Sequence, residues 1–234
     1  MRALLVSAWL FVGLAGLIFH LGPGRELEKQ DVLNRNLTQA RLNVDAQQWA
    51  NAIDYFDDAI AGLSEKEVDL HRQLRLEKAK AQMMDAQLPE ARLALEALLT
   101  EVMEGGNASS PLAQETRLAL ASSQYYVTWL MRLEGVGREE WEPEIEAARQ
   151  NYRILSEMAD QTSDAGNAEK RREDLEAAVR LARMDLTELQ ALPLPSQCKG
   201  CKSGKCRGKK PGKPKDGPPN TGASFQRPGE GDGS

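Results

Sequence analysis

The residues with the greatest chemical potential sit in one short run, Cys198-Lys199-Gly200-Cys201-Lys202-Ser203-Gly204-Lys205-Cys206, which holds all 3 cysteines of the 234-residue chain. Thiolates are nucleophiles, redox partners and metal ligands, and a Cys-x2-Cys spacing suits either a dithiol–disulfide pair or half of a zinc site. A structural zinc site takes four ligands, and neither a fourth cysteine nor a histidine lies near Cys198, Cys201 and Cys206. The neighbouring lysines favour the thiolate form. Any internal pairing of three cysteines leaves one over, so an intermolecular bridge is a third use. Metal, redox and cross-linking chemistry all stay open at these residues.

The same run opens a cationic stretch. Residues 198–215 carry Lys199, Lys202, Lys205, Arg207, Lys209, Lys210, Lys213 and Lys215 with no acid among them. Residues 198–234 hold 9 basic and 3 acidic side chains, whereas residues 26–197 hold 19 basic and 32 acidic ones. Residues 193–234 also contain most of the prolines, nearly half the glycines and a single aromatic, Phe225. Such a composition buries too little apolar surface to offset its ordering entropy, so 193–234 reads as a disordered basic tail. Polycations bind anionic surfaces through many weak contacts: acidic lipids, acidic polymers, nucleic acid, or the acidic body of the chain itself. Nucleic acid is the least fitting of these, because no aromatic side chain is interleaved with the charges of 198–215 to stack on bases.

At the other end, residues 3–21 carry no full charge at neutral pH. Nineteen helical residues at ~1.5 Å each span ~28 Å, close to a bilayer core. Residues 1–24 therefore read as a single-pass N-terminal anchor ending at Gly22-Pro23-Gly24, with a cleaved signal peptide as the alternative. Signal h-regions usually run ~7–15 residues, shorter than this run. Arg2 lies before the span, and Arg25, Lys29, Arg35 and Arg41 lie after it, so the positive-inside rule pulls both ways. The expected arrangement for so short an N-terminal anchor puts the body on the non-cytoplasmic side.

Between these ends, residues 27–192 show apolar residues at three- and four-residue spacing, segment after segment. The stripes run Leu33–Val44, Trp49–Leu63, Leu70–Met83, Leu88–Val102, Leu118–Leu133, Trp141–Ala159 and Leu175–Leu189. Strong helix formers dominate, and no segment alternates like a strand. Breaks fall at Ser64 with Glu67 (a capping-box pattern), Gly105-Gly106, Ser110-Pro111, Gly135-Val136-Gly137 and Gly166-Asn167. The predicted class is all-α, about seven helices, with the last over about 168–191.

Two stripes superpose at an offset of 39 residues: Gln48-Trp49-Ala50-Asn51-Ala52-Ile53-Asp54-Tyr55-Phe56 on Gln87-Leu88-Pro89-Glu90-Ala91-Arg92-Leu93-Ala94-Leu95. Residues 144–155 give a looser third copy, with Ala148 at the small position and Tyr152 at the large one. This pattern resembles the second helix of a tetratricopeptide repeat, in which a small residue lets two helices approach and an aromatic packs beside it. Ala52, Phe56 and Ala59 match well, with Trp49 entering the turn, and Ala91 and Leu95 match less closely. Ala40 and Ala79 fall at the small position of the first helix. Asn36, Asn43 and Gln82 depart from the pattern, no proline closes either repeat, and the offset exceeds the family's 34 residues. The resemblance covers about 31–104 and, more loosely, 112–162. It implies a solenoid of helical hairpins that binds protein partners and takes no cofactor.

Enzymatic signatures are missing. The body has one histidine, His71, which lies among charged neighbours near a helix start and reads as a surface residue, and no cysteine, so no serine–histidine–acid set can be argued. There is no phosphate-binding glycine loop and no dinucleotide fingerprint. The expected function is a membrane-tethered adaptor, not an enzyme, resembling the anchored tetratricopeptide proteins of bacterial envelopes. Its alternatives are a metal- or redox-responsive protein acting through Cys198, Cys201 and Cys206, and a purely structural spacer.

Overall fold

The computed structural model describes residues 9, 23–106, 108–161 and 165–203. Apart from Trp9, Pro23 and Gly24, the segment read as a membrane anchor lies outside the described residues. So do Cys206 and the basic residues from Lys205 to Lys215. Among the described residues no helix is long and apolar enough to cross a membrane.

The described chain is all-α, with eight helices and one 3₁₀ turn: α1 Pro23–Asp45, α2 Trp49–Gly62, α3 Val68–Met84, α4 Leu88–Glu104, α5 Pro111–Leu133, α6 Arg138–Asp160, α7 Ala165–Arg183, α8 Leu186–Ala191 and the 3₁₀ turn Ser196–Cys198. Helices α1 to α6 each pack on the next in sequence, so short connections make them antiparallel neighbours.

The turns closing α1–α2, α3–α4 and α5–α6 share one geometry. Each has a residue at positive φ: Gln47 at 57°, Ala86 at 59° and Gly135 at 73°. In each, the next N–H reaches five residues back: Gln48 to the Asn43 carbonyl at 2.8 Å, Gln87 to that of Gln82 at 3.0 Å, and Val136 to that of Met131 at 2.9 Å. This is the Schellman closure, which satisfies carbonyls that the helix end leaves open. Only the third turn uses glycine, the residue that adopts positive φ without a Cβ penalty.

Helix α3 divides the interior. Leu74 and Ala81 join a core with Leu33, Ala40, Val44, Ala52, Ile53, Phe56 and Ala59. Leu76, Ala79 and Met83 face a second, larger core built from α4 to α8 and the segment after them. At the centre of that core lies α5, whose residues from Thr116 to Arg132 are all buried. Several are polar, so α5 is enclosed by neighbours on every side without being apolar on every side.

The helix boundaries correct the sequence reading in three places. Ser64 is not the cap of α3: its backbone N–H donates to Glu67 Oε2 at 2.8 Å, and the helix starts at Val68. Gly166 and Asn167 lie inside α7 and do not form a break before it. The expected last helix is two: α7 ends at Arg183, and α8 starts from an N-cap at Asp185 whose carboxylate accepts the Glu188 N–H at 2.7 Å, while Glu188 accepts the Asp185 N–H at 2.9 Å. That reciprocal capping box starts a new helix axis.

Candidate functional site

Charged side chains tie the hairpins together along three lines. Between odd-numbered helices, Arg41 of α1 meets Glu77 of α3 at 3.9 Å, and Lys80 of α3 bonds to Glu115 of α5. Between even-numbered helices, Arg92 of α4 meets Glu144 of α6 at 2.7 Å. Within the second hairpin, Arg72 lies 2.8 Å and Arg75 2.5 Å from the Glu101 carboxylate. Hydrogen bonding by Arg72 holds the Glu101 carboxyl below the ordinary carboxylate range, whereas burial pushes Glu77 above it despite Arg41.

The residues singled out for repeat packing all lie on α2, α4 and α6. Ala52, Phe56, Ala59, Ala91, Leu95, Ala148 and Tyr152 are buried, and Trp49 is half-buried against the first core. The Tyr152 hydroxyl is 3.0 Å from that of Ser122 on α5, so its one polar atom has a partner. Burial pushes its phenol far above the ordinary tyrosine value.

The largest departure from expectation concerns residues 193–203. Composition assigns them to a disordered tail, but they are folded onto the body. Pro195, Gln197, Cys198, Cys201 and Ser203 are buried, and Leu192 and Leu194 pack against the larger core. Cys198, Lys199, Gly200 and Cys201 form a β-turn. Lys199 sits at φ −68° and ψ 123°, Gly200 at φ 74°, and the Cys201 N–H donates to the Cys198 carbonyl at 3.4 Å. These angles define type II, which calls for glycine at the third position. The Cys198 thiol approaches the Tyr126 carbonyl of α5 at 3.7 Å, and a Cβ at Gly200 would stand 3.8 Å from that of Ala86 in the α3–α4 turn. Ser203 then binds the buried Glu134 twice: its N–H donates to Oε1 at 3.1 Å and its hydroxyl to Oε2. The segment therefore bridges the α3–α4 turn and the α5–α6 turn. Burial pushes both thiols up, Cys198 most, and the nearby Glu134 charge acts in the same direction.

Lys199 and Lys202 are exposed on this segment. The rest of the expected anion-binding set, Lys205, Arg207, Lys209, Lys210, Lys213 and Lys215, and the third cysteine, Cys206, lie outside the described residues. Among the described residues no group of three or more histidine, cysteine, aspartate or glutamate side chains is arranged to hold a metal.

Two features had no counterpart in the sequence reading. Arg132, buried at the end of α5, donates to the carbonyls of Leu181 and Met184 at the end of α7, and its guanidinium lies 4.8 Å from the Trp141 ring centre. An open groove of about 740 Å³ runs over α7 and α8, lined by Leu175, Val179, Met184 and Leu192 together with the charged Arg180, Arg183, Glu176 and Glu188. The first has a faint signal, an arginine inside an apolar stripe. The second arises from the α7–α8 break and had none.

No protein-family model matches this chain, and no similar curated protein or solved structure was found.

Proposed function

We propose that this protein is a membrane-tethered adaptor whose tetratricopeptide-like body holds protein partners, and that the basic residues beyond Ser203 add contact with an anionic lipid or polymer. The observation that supports this most is the recurrence of one hairpin closure: positive-φ residues at Gln47 and Ala86 stand 39 positions apart, the offset of the sequence repeat, with like hydrogen bonds on each. Stacked hairpins present extended faces that suit protein binding. The groove over α7 and α8 supplies such a face, with apolar side chains flanked by two arginines and two glutamates. The membrane tether rests on the uncharged run from Ala3 to Leu21. No reaction enters this reading.

The arrangement gives the molecule two ends. Helix α1 starts at Pro23, next to the proposed anchor, and runs 23 residues to Asp45. At ~1.5 Å per residue that is ~34 Å. The α1–α2, α3–α4 and α5–α6 turns share the far end, and Ser203 is held there by Glu134. Ser203 and Pro23 therefore lie at opposite ends of the helical stack.

The test is membrane fractionation. Full-length protein should stay in the pellet through high-salt and alkaline washes, and a chain starting at residue 27 should be released. Native N-terminal sequencing that begins at Arg25 would replace the tether with a secreted protein.

A further inference from the structure

We propose that Cys198 and Cys201 form a reversible intramolecular disulfide that fastens residues 193–203 to the helical stack, with a low-molecular-weight disulfide as the oxidant. The type II turn places the two cysteines at its first and fourth positions. The ends of a β-turn lie within ~7 Å between Cα atoms, and disulfides span ~4.4–6.8 Å, so the turn already holds the pair near bonding separation. Gly200 is set by backbone conformation and not by crowding, since its φ is 74° and an added Cβ would make only an ordinary contact with Ala86. Upstream, the Cys198 N–H donates to the Pro195 carbonyl at 3.0 Å and the Lys199 N–H to that of Ser196 at 3.2 Å. The turn is thus wound by local hydrogen bonds and keeps its shape tendency when the segment lifts.

The docked pair is closed to reagents, at 1% exposure for Cys198 and 5% for Cys201. Exchange therefore starts from the lifted segment, a local opening of the kind expected for a short strap outside the helices. The Cys201 thiol, the less deeply placed, loses its proton to solvent. Its sulfur attacks one sulfur of the oxidant, and the oxidant's S–S bond breaks to expel one thiolate. The Cys198 thiolate then attacks the Cys201 sulfur of the mixed disulfide and expels the second. Two electrons pass from the cysteine pair to the oxidant, one protein S–S bond forms, and two small thiols leave with the two protons. The four-residue ring narrows the conformations open to the lifted segment, so oxidation favours the docked state, and reduction reverses it. Two thiols on one turn, with no third metal-ligating side chain converging on them among the described residues, suit this two-electron chemistry better than a four-ligand metal site. The inference does not depend on the adaptor reading, because it concerns how the body holds its own C-terminal strap.

The experiment uses the full chain, in detergent and with a chelator present, equilibrated in glutathione buffers of rising oxidised fraction. Samples are quenched in acid, labelled with a maleimide of known mass, digested with a glutamate-specific protease and mapped by fragmentation. The expected result is a 198–201 disulfide formed in a two-electron titration and reversed by dithiothreitol, with Cys206 still labelled. Trypsin cleavage after Lys199 and Lys202, scored after reduction, should slow at least threefold in the oxidised protein. C206S should behave alike, and C198S and C201S should show no oxidant effect on cleavage. If either of those two variants fails to fold, the wild-type and C206S proteins carry both readouts. A disulfide using Cys206, a lasting glutathione adduct at Cys198 or Cys201, absence of oxidation in fully oxidised buffer, or faster cleavage after oxidation would each overturn the proposal.

Discussion

Arg132 shows how single residues shape this protein. Its buried guanidinium serves the open carbonyls at the end of α7 and lies over Trp141 of α6, so one side chain joins three helices. Arg132→Met would leave the Leu181 and Met184 carbonyls without this donor in a largely dry setting, at a cost of about 2–4 kcal/mol. Arg132→Lys should recover only part of this, because an ammonium lacks the planar fork. Urea denaturation of the two variants checks both statements, and a loss under 0.5 kcal/mol for Arg132→Met would show that water replaces the guanidinium without penalty.

Glu101 and Glu77 make opposite claims about pH. Glu101, held low by Arg72, stabilises the fold above its unfolded value of 4.5, and that contribution is lost as pH falls through its lower folded value. Glu77, raised by burial, works in reverse: between 4.5 and its higher folded value, stability falls as pH rises. Glu101→Gln should therefore destabilise at pH 7, and destabilise less at pH 3. Glu77→Gln should be neutral or stabilising at pH 7. Denaturation midpoints at the two pH values test the signs; a common sign for both variants at pH 7 would contradict this account.

At the scale of elements, periodicity in the sequence reveals the helices because burial on one face imposes a 3.6-residue rhythm, and α1 to α7 each carry it. It reveals much less about how they end. Gln47 and Ala86 occupy positive φ without being glycine or asparagine, so no residue type marks those two turns. Gln47→Gly should relieve the Cβ penalty at an exposed position and raise stability by about 0.5–1 kcal/mol, readable by thermal melting. The same reasoning explains why the polar residues of α5 escape notice. Arg117, Gln124 and Thr128 look like a wet face, and only partners from distant helices, Asn151 of α6 beside Arg117 and Gln124 and Met103 of α4 beside Arg117, make it a buried one. Ala52→Leu and Ala91→Leu test the repeat faces directly: each places a larger side chain at a fully buried alanine and should cost about 1–3 kcal/mol.

The strap was the least legible element. Pro193-Leu194-Pro195-Ser196-Gln197 has too little apolar content to signal a docked segment, and its lysines point to a solvated tail. Its burial depends on a surface made by residues far earlier in the chain, Ala86, Tyr126 and Glu134. Truncation separates the two readings. Ending the chain after Ser203 should leave stability unchanged, whereas ending it after Leu192 should uncover α5 and cost about 2–4 kcal/mol. Alkaline pH should loosen the strap in the same way. Both thiols have folded values above the ordinary 9.0, so their contribution is complete below that pH and is lost as pH rises toward the folded values.

At the scale of the whole molecule, the proposed adaptor combines an uncharged N-terminal run, a stack of hairpins and a cationic C-terminal stretch. Its central claim is that the body works by holding another protein. The most direct measurement is the composition and mass of the full-length protein purified from its native membrane in mild detergent, compared among wild type, a chain ending at Ser203, and an Arg180→Glu/Arg183→Glu variant. The account predicts a second polypeptide in fixed ratio to this chain, retained when the basic residues after Ser203 are removed and lost when the groove arginines are reversed in a variant that still folds. Recovery of this chain alone, or only with copies of itself, from all three preparations would contradict it.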